Sequence, residues 1–134
     1  MKLKWLLLPL ALLLSCIAVP AQQTTATYTQ VVNKAAPTVG ITSSLNPSTY
    51  TTSVTFVANV PTDATGTVQF LDGATPLGSA QAISNGVAQY STTSLPVGAN
   101  SIVASYSGDA NNSPEISSAL DQVVNKAAST TIVA

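Results

Sequence analysis

Four oxygen-bearing residues near the end of the chain could together bind a cation. Asp109, Asn111, Asn112 and Glu115 fall in one short segment, and carboxylate and amide oxygens are the ligands that Ca²⁺ takes. Pro114 stands where a calcium loop needs glycine. A calcium site with Asp109, Asn111 and Glu115 as ligands is therefore the weaker hypothesis. The stronger one is a loop whose polar side chains hydrogen-bond to neighbouring backbone groups.

Other reactive groups are scarce. The sequence has no histidine, and its single cysteine is Cys16. This removes the Ser-His-Asp and Cys-His forms of catalysis and most transition-metal sites. Asp72, Asp109 and Asp121 fall in predicted turns or near strand ends, where aspartate commonly hydrogen-bonds to the local backbone. We predict a protein that is not an enzyme and that uses no cofactor. An exposed Tyr50 can stack on a sugar face, but a single tyrosine at a strand edge more commonly serves in packing.

The first 21 residues have the organisation of a signal peptide. Lys2 and Lys4 provide a short positive segment, and an apolar run from Trp5 to Ala18 follows. Small residues then end at Ala21, where signal peptidase would cut. We therefore predict a signal-peptide helix over residues 1–21 and a secreted or cell-surface protein.

Cys16 supports a second form of export. The segment from Leu13 to Cys16 resembles a bacterial lipoprotein box, in which this cysteine would be lipidated and become the new N-terminus. Simple secretion is favoured, and membrane contact is expected only through the signal peptide or this anchor. Removal of residues 1–21 leaves two lysines and five acidic residues, a net charge of −3. No basic patch remains, which argues against nucleic acid as a partner.

One repeat organises the rest of the chain. The heptapeptide Gln30–Ala36 recurs without change as Gln122–Ala128, an offset of 92 residues. That offset is close to the length of a β-sandwich domain of roughly 100 residues. Such identity at one spacing indicates a tandem array. The expected partners are therefore neighbouring units of the same kind.

The residues between the two copies predict strands rather than helices. Only 7% of all residues are charged, and β-branched residues alternate with polar ones in short runs, as in half-buried strands. Asn85-Gly86 is the strongest hairpin signal. We predict an all-β sandwich of seven or eight antiparallel strands whose core consists of Val39, Ile41, Phe56, Ala58, Val68, Phe70, Leu77, Tyr90, Leu95, Ile102, Ala104 and Tyr106.

Three sequence blocks resemble a known family. Gly66–Gly73, Leu95–Gly98 and Ala104–Asp109 are similar in residues and spacing to the bacterial Ig-like repeat domains of the group 3 type, over about residues 37–127. The resemblance implies an immunoglobulin-like β-sandwich and a role as a non-catalytic structural spacer or adhesion-supporting module of an extracellular or surface protein. The alternatives are a module that binds carbohydrate or protein through the loops at one end, or an accessory domain of a secreted enzyme.

These interpretations together divide the chain into four parts. After the signal peptide, residues 22–36 are a junction, residues 37–127 are the sandwich, and residues 128–134 are the first strand of a truncated second repeat. Without neighbouring units, we expect both the junction and the final segment to pack poorly.

Overall fold

Short alternating segments give this chain its strands. The structure, a computed structural model, describes residues 27–129. Residues from Val32 onward form one compact unit, and residues 27–31 belong to a separate one and contain no helix or strand. No helix occurs in the described range. Its ten strands are β1 (Gly40–Ser43), β2 (Ser48–Thr49), β3 (Val54–Asn59), β4 (Thr67–Asp72), β5 (Thr75–Pro76), β6 (Gln81–Ala82), β7 (Val87–Thr92), β8 (Gly98–Tyr106), β9 (Glu115–Ile116) and β10 (Leu120–Asn125).

The strands form two sheets. One has three strands in the order β1-β3-β7, and the other has seven, with the path β2-β10-β8-β4-β5, β6 paired to β4 and β9 paired to β8. Every pairing between strands is antiparallel except that of β2 with β10, which is parallel. The predicted all-β sandwich is confirmed. The described part of the structure has ten strands instead of the predicted seven or eight. Four of the ten are short strands of only two residues each, namely β2, β5, β6 and β9.

Three aromatic rings join the two sheets at the centre of the core. Phe70 on β4 stacks against Phe56 on β3 and Tyr90 on β7, with ring centroids 6.4 and 6.1 Å away. Rings at this separation attract each other beyond the gain from burial alone. Of the predicted core, Ile41, Leu77 and Tyr90 are only partly buried, and the other nine residues are buried. The core also includes Val54, Val60, Ala64, Ala88 and Val124.

The predicted turn at Asn85-Gly86 is present. Both residues have positive φ, 50° and 77°, as a two-residue type I′ turn requires. A Cβ on Gly86 would lie 2.8 Å from the carbonyl oxygen of Val60, so glycine is also needed for space. The turn brings Ser84 against Val87 in a single antiparallel bridge. Beyond this bridge, β6 and β7 do not pair with each other, because β6 pairs with β4 and β7 pairs with β3.

The segment that pairs with β8 near the end of the domain is divided. It comprises two strands, β9 and β10, with a break between them. Ser117 explains the break, because its hydroxyl oxygen accepts the N–H of Ala104 at 3.0 Å. The serine hydroxyl replaces the backbone carbonyl that would otherwise accept the N–H of Ala104. The regular pairing of β9 with β8 therefore ends at this residue.

A buried glutamine fixes β10 in its sheet. The side chain of Gln122 is fully buried. Its amide donates to the carbonyl oxygen of Leu45 at 2.9 Å and to the hydroxyl oxygen of Ser48 at 3.3 Å. Its side-chain oxygen accepts the hydroxyl of Ser43 at 2.6 Å. Because a buried amide is costly without partners, these bonds specify one position for β10 beside the segment that joins β1 to β2.

Candidate functional site

The segment proposed to bind a cation is a loop organised around one carboxylate. It follows β8 and turns at Gly108, whose φ is 74°. Asp109 comes next, and its Oδ1 accepts the backbone N–H groups of Asn111 and Asn112 at 2.8 and 2.7 Å. The side-chain amide of Asn112 also donates to both carboxylate oxygens at 3.2 Å. The Asp109 carboxylate therefore closes the loop by accepting hydrogen bonds from backbone N–H groups of the same loop.

The same carboxylate joins this loop to a second loop and to the core. Asp109 Oδ2 accepts the backbone N–H of Thr65 at 2.8 Å, and the phenol of Tyr106 donates to it at 2.9 Å. Hydrogen bonds to the ionised form, first that from the Thr65 N–H, hold the pKa of Asp109 well below its usual value. Burial, and then the hydrogen bond to Asp109, raise the pKa of Tyr106 to about 12. The pair is thus held as a carboxylate and a neutral phenol.

This arrangement bears on the calcium hypothesis. The groups that contact the Asp109 carboxylate are N–H and O–H donors, whose hydrogens a cation would have to displace. Asn111 is exposed beside it, and Glu115 lies on β9. Within residues 27–129 no cluster of three or more acidic, histidine or cysteine side chains could hold a metal. Calcium binding stays a prediction, and this donor set favours the loop-closing role instead.

Part of the predicted junction lies against the same loop. The backbone N–H of Ala35 donates to the carbonyl oxygen of Asn111 at 2.8 Å, and the N–H of Ser113 donates to the carbonyl oxygen of Ala35 at 2.8 Å. The ammonium group of Lys34 donates to the carbonyl oxygen of Asp109. Lys34 and Ala35 are therefore hydrogen-bonded to the loop although both are exposed. That the junction packs poorly stays a prediction.

An open cleft of about 660 Å³ lies beside this contact. Its walls include Ala35, Pro37, Val60, Asp63 and Asn112. Aliphatic side chains and backbone make up most of this wall, and Asp63 is its acidic member. No cluster of titratable groups converges on the cleft in the described part of the chain.

The opposite end of the sandwich carries exposed apolar side chains. The N–H of Tyr50 donates to the carbonyl oxygen of Asn125 at 2.8 Å, so Tyr50 lies at the end of β10. Its side chain is 45% exposed, and Val97, just before β8, is 44% exposed. The two residues therefore flank the point at which the chain leaves the domain.

Some predicted features lie outside the described residues. Cys16, the signal peptide and the segment 130–134 are among them, so secretion, lipidation and the truncated second repeat stay predictions. The structure describes no helix that is both long enough and apolar enough to cross a membrane within residues 27–129.

Comparison with known proteins gives one match. Residues 41–125, more than half of the chain, match the family model described as the bacterial Ig-like domain (group 3). No curated protein and no solved structure gives a significant match. The matched range runs from the middle of β1 to the last residue of β10 and thus includes both sheets.

Proposed function

Because the chain belongs to the bacterial Ig-like domain family (group 3), we propose that it is a load-bearing spacer of an extracellular or cell-surface protein. Domains of this family are generally non-catalytic structural or adhesion-type modules, and they typically occur in extracellular or surface proteins. The tandem repeat in the sequence supports a place within an array. The role of this unit is then to hold its neighbours at a fixed distance.

The pairing of β2 with β10 carries the proposal. The chain enters beside the 109–113 loop and leaves beside Tyr50, at opposite ends of the sandwich. Ser48 and Thr49, which follow β1, pair in parallel with Val124 and Asn125, the last two residues of β10. A force that pulls the termini apart draws β2 and β10 in opposite directions along their length. The hydrogen bonds between them then lie across the force and are loaded together in shear.

Side chains reinforce this pairing. The amide of Asn46 donates to the carbonyl oxygen of Asp121 at 2.7 Å, and its side-chain oxygen accepts the N–H of Val123 at 3.0 Å. The buried Gln122 makes the bonds described above. The segment from Ser43 to Thr49 is therefore hydrogen-bonded to β10 along most of its length, which supports a role as a spacer under tension.

Force spectroscopy on single molecules tests this function. Tyr50→Pro removes the N–H that donates to Asn125, whereas the matched control Tyr50→Ala keeps that N–H and loses only the exposed side chain. Pulling from the two termini should unfold Tyr50→Pro at a clearly lower force than wild type, and Tyr50→Ala at a force close to wild type. Equal unfolding forces for all three proteins would show that β2 and β10 do not bear the load.

One observation favours a second function, recognition of a carbohydrate. Tyr50 is partly exposed at the end of the sandwich, and an exposed aromatic ring can stack on a sugar face. A glycan array probed with wild type and with Tyr50→Ala distinguishes this module from a spacer. Binding that Tyr50→Ala abolishes would support the carbohydrate-binding function.

A further inference from the structure

The repeated heptapeptide lies in two different structural settings. In the second copy, Gln122–Asn125 forms most of β10, and the following Lys126, Ala127 and Ala128 are exposed. In the first copy, Ala35 forms a parallel bridge with Asn112 in the loop after β8. The heptapeptide therefore has two parts with different roles. The first four residues complete a sheet, and the last three follow as a link.

We infer that the Lys-Ala-Ala link is a docking element that fastens each unit to the 109–113 loop of the unit that follows it. This rests on the proposed function, because it requires an array. In this chain, Lys34 and Ala35 show the docked state. Lys126 and Ala127 have the same sequence and come directly after β10, so they have the groups needed to dock in the same way on a following unit. The partner is therefore a second Ig-like unit that carries the Asp109 loop.

Two backbone groups and one side-chain ammonium make the contact. The alanine supplies a backbone N–H and a carbonyl oxygen, which pair with Asn111 and Ser113 at 2.8 Å each. The lysine ammonium reaches the carbonyl oxygen of Asp109. The Asp109 carboxylate accepts the N–H groups of Asn111 and Asn112, so it holds the loop in the shape that receives the link. Asp109 therefore fixes the conformation of the loop to which the Lys-Ala-Ala link binds.

Docking leaves little free chain between two units. The sheet ends at Asn125, and the next residue that would be held is Lys126. Two consecutive units would therefore have a restricted relative orientation. Tyr50 and Val97 flank the exit of β10, so the following unit would cover part of these exposed apolar side chains.

Hydrogen exchange on a two-unit chain tests the inference. In that protein, residues 1–128 are followed directly by residues 37–134, so that Lys126–Ala128 precedes Pro37 of the second unit as Lys34–Ala36 precedes it in the first. Ala127→Pro removes the docking N–H. Ala128→Pro is the matched control, because it keeps that N–H and favours the extended backbone at residue 127.

The readout is the amide of Ser113 in the second unit. It should exchange slowly in the two-unit wild type and in Ala128→Pro, and about tenfold faster in Ala127→Pro, which corresponds to about one lost backbone hydrogen bond. The Ser113 amide of the first unit is an internal reference that should not change. Equally fast exchange in wild type and Ala127→Pro would overturn the docking inference.

A second measurement keeps the inference separate from the proposed function. Small-angle scattering should show one narrow distribution of lengths for the two-unit wild type and a broader one for Ala127→Pro. If the two proteins give the same broad distribution, the link is flexible and the inference fails. The load-bearing function would still stand, because it depends on the β2–β10 pairing within each unit.

Discussion

Replacement of the buried glutamine of β10 should be far more damaging than the same change in the other copy of the repeat. Gln122→Ala removes two amide hydrogen bonds to Leu45 and Ser48 and one bond accepted from Ser43. At about 1 kcal/mol per bond the loss is about 3 kcal/mol. Ser48 is buried, so water does not fully replace the partner that its hydroxyl loses.

The repeat supplies a matched control. Gln30 has the same neighbours in sequence but is exposed, so Gln30→Ala should change stability by less than about 0.5 kcal/mol. Urea unfolding followed by circular dichroism measures both free energies of unfolding. At about 4–8 °C per kcal/mol for a domain of this size, Gln122→Ala should also melt roughly 12–24 °C below wild type. If the two variants had equal stability, the buried network around Gln122 would be refuted.

Three further predictions concern the Asp109 loop, the aromatic core and the signal peptide. Because hydrogen bonds hold the folded-state pKa of Asp109 below its ordinary value of 3.8, its ionised form stabilises the fold above that pH and loses this effect as the pH falls further. The difference in Tm between wild type and Asp109→Asn should therefore shrink below pH 3.8, and a difference independent of pH would contradict this assignment. Phe70→Ala should lower the free energy of unfolding by about 3–5 kcal/mol, and a thermal melt that matched wild type would contradict the stacked core. Mass spectrometry of protein from exporting cells should find cleavage after Ala21, or lipidation at Cys16 as the alternative; an N-terminus still at Met1 would exclude both.

Much of the fold could be predicted because strand patterns are local. Val54, Phe56 and Ala58 alternate with polar or less buried neighbours, so the inward face of β3 follows from a period of two. Asn85 and Gly86 tolerate positive φ, so their turn is also determined locally. These features depend on neighbours in the sequence, and the structure confirms them.

The polar interior could not be predicted in the same way. In β10, Val123 and Val124 are adjacent, so the residue types alone do not say which valine points inward. The structure buries Gln122 and Val124 and leaves Val123 partly exposed, because the partners of Gln122 come from the β1–β2 segment, far away in sequence. Asp109 is similar: its bonds to Asn111 and Asn112 fit the predicted loop closure, but its bond to Thr65 depends on the packing of two distant loops.

The pairing of β2 with β10 also limits the order in which the domain can fold. Residues such as Ser48 and Val123, 75 positions apart in the chain, must meet before the sheet is complete. Contacts between distant residues form slowly, because the intervening chain loses its freedom before the contact is gained. A chain that emerges amino end first cannot form this pair until Asn125 has emerged. Until then the edge of β8 that receives β10 has no partner, so the domain remains open to pairing with other chains until its last strand arrives.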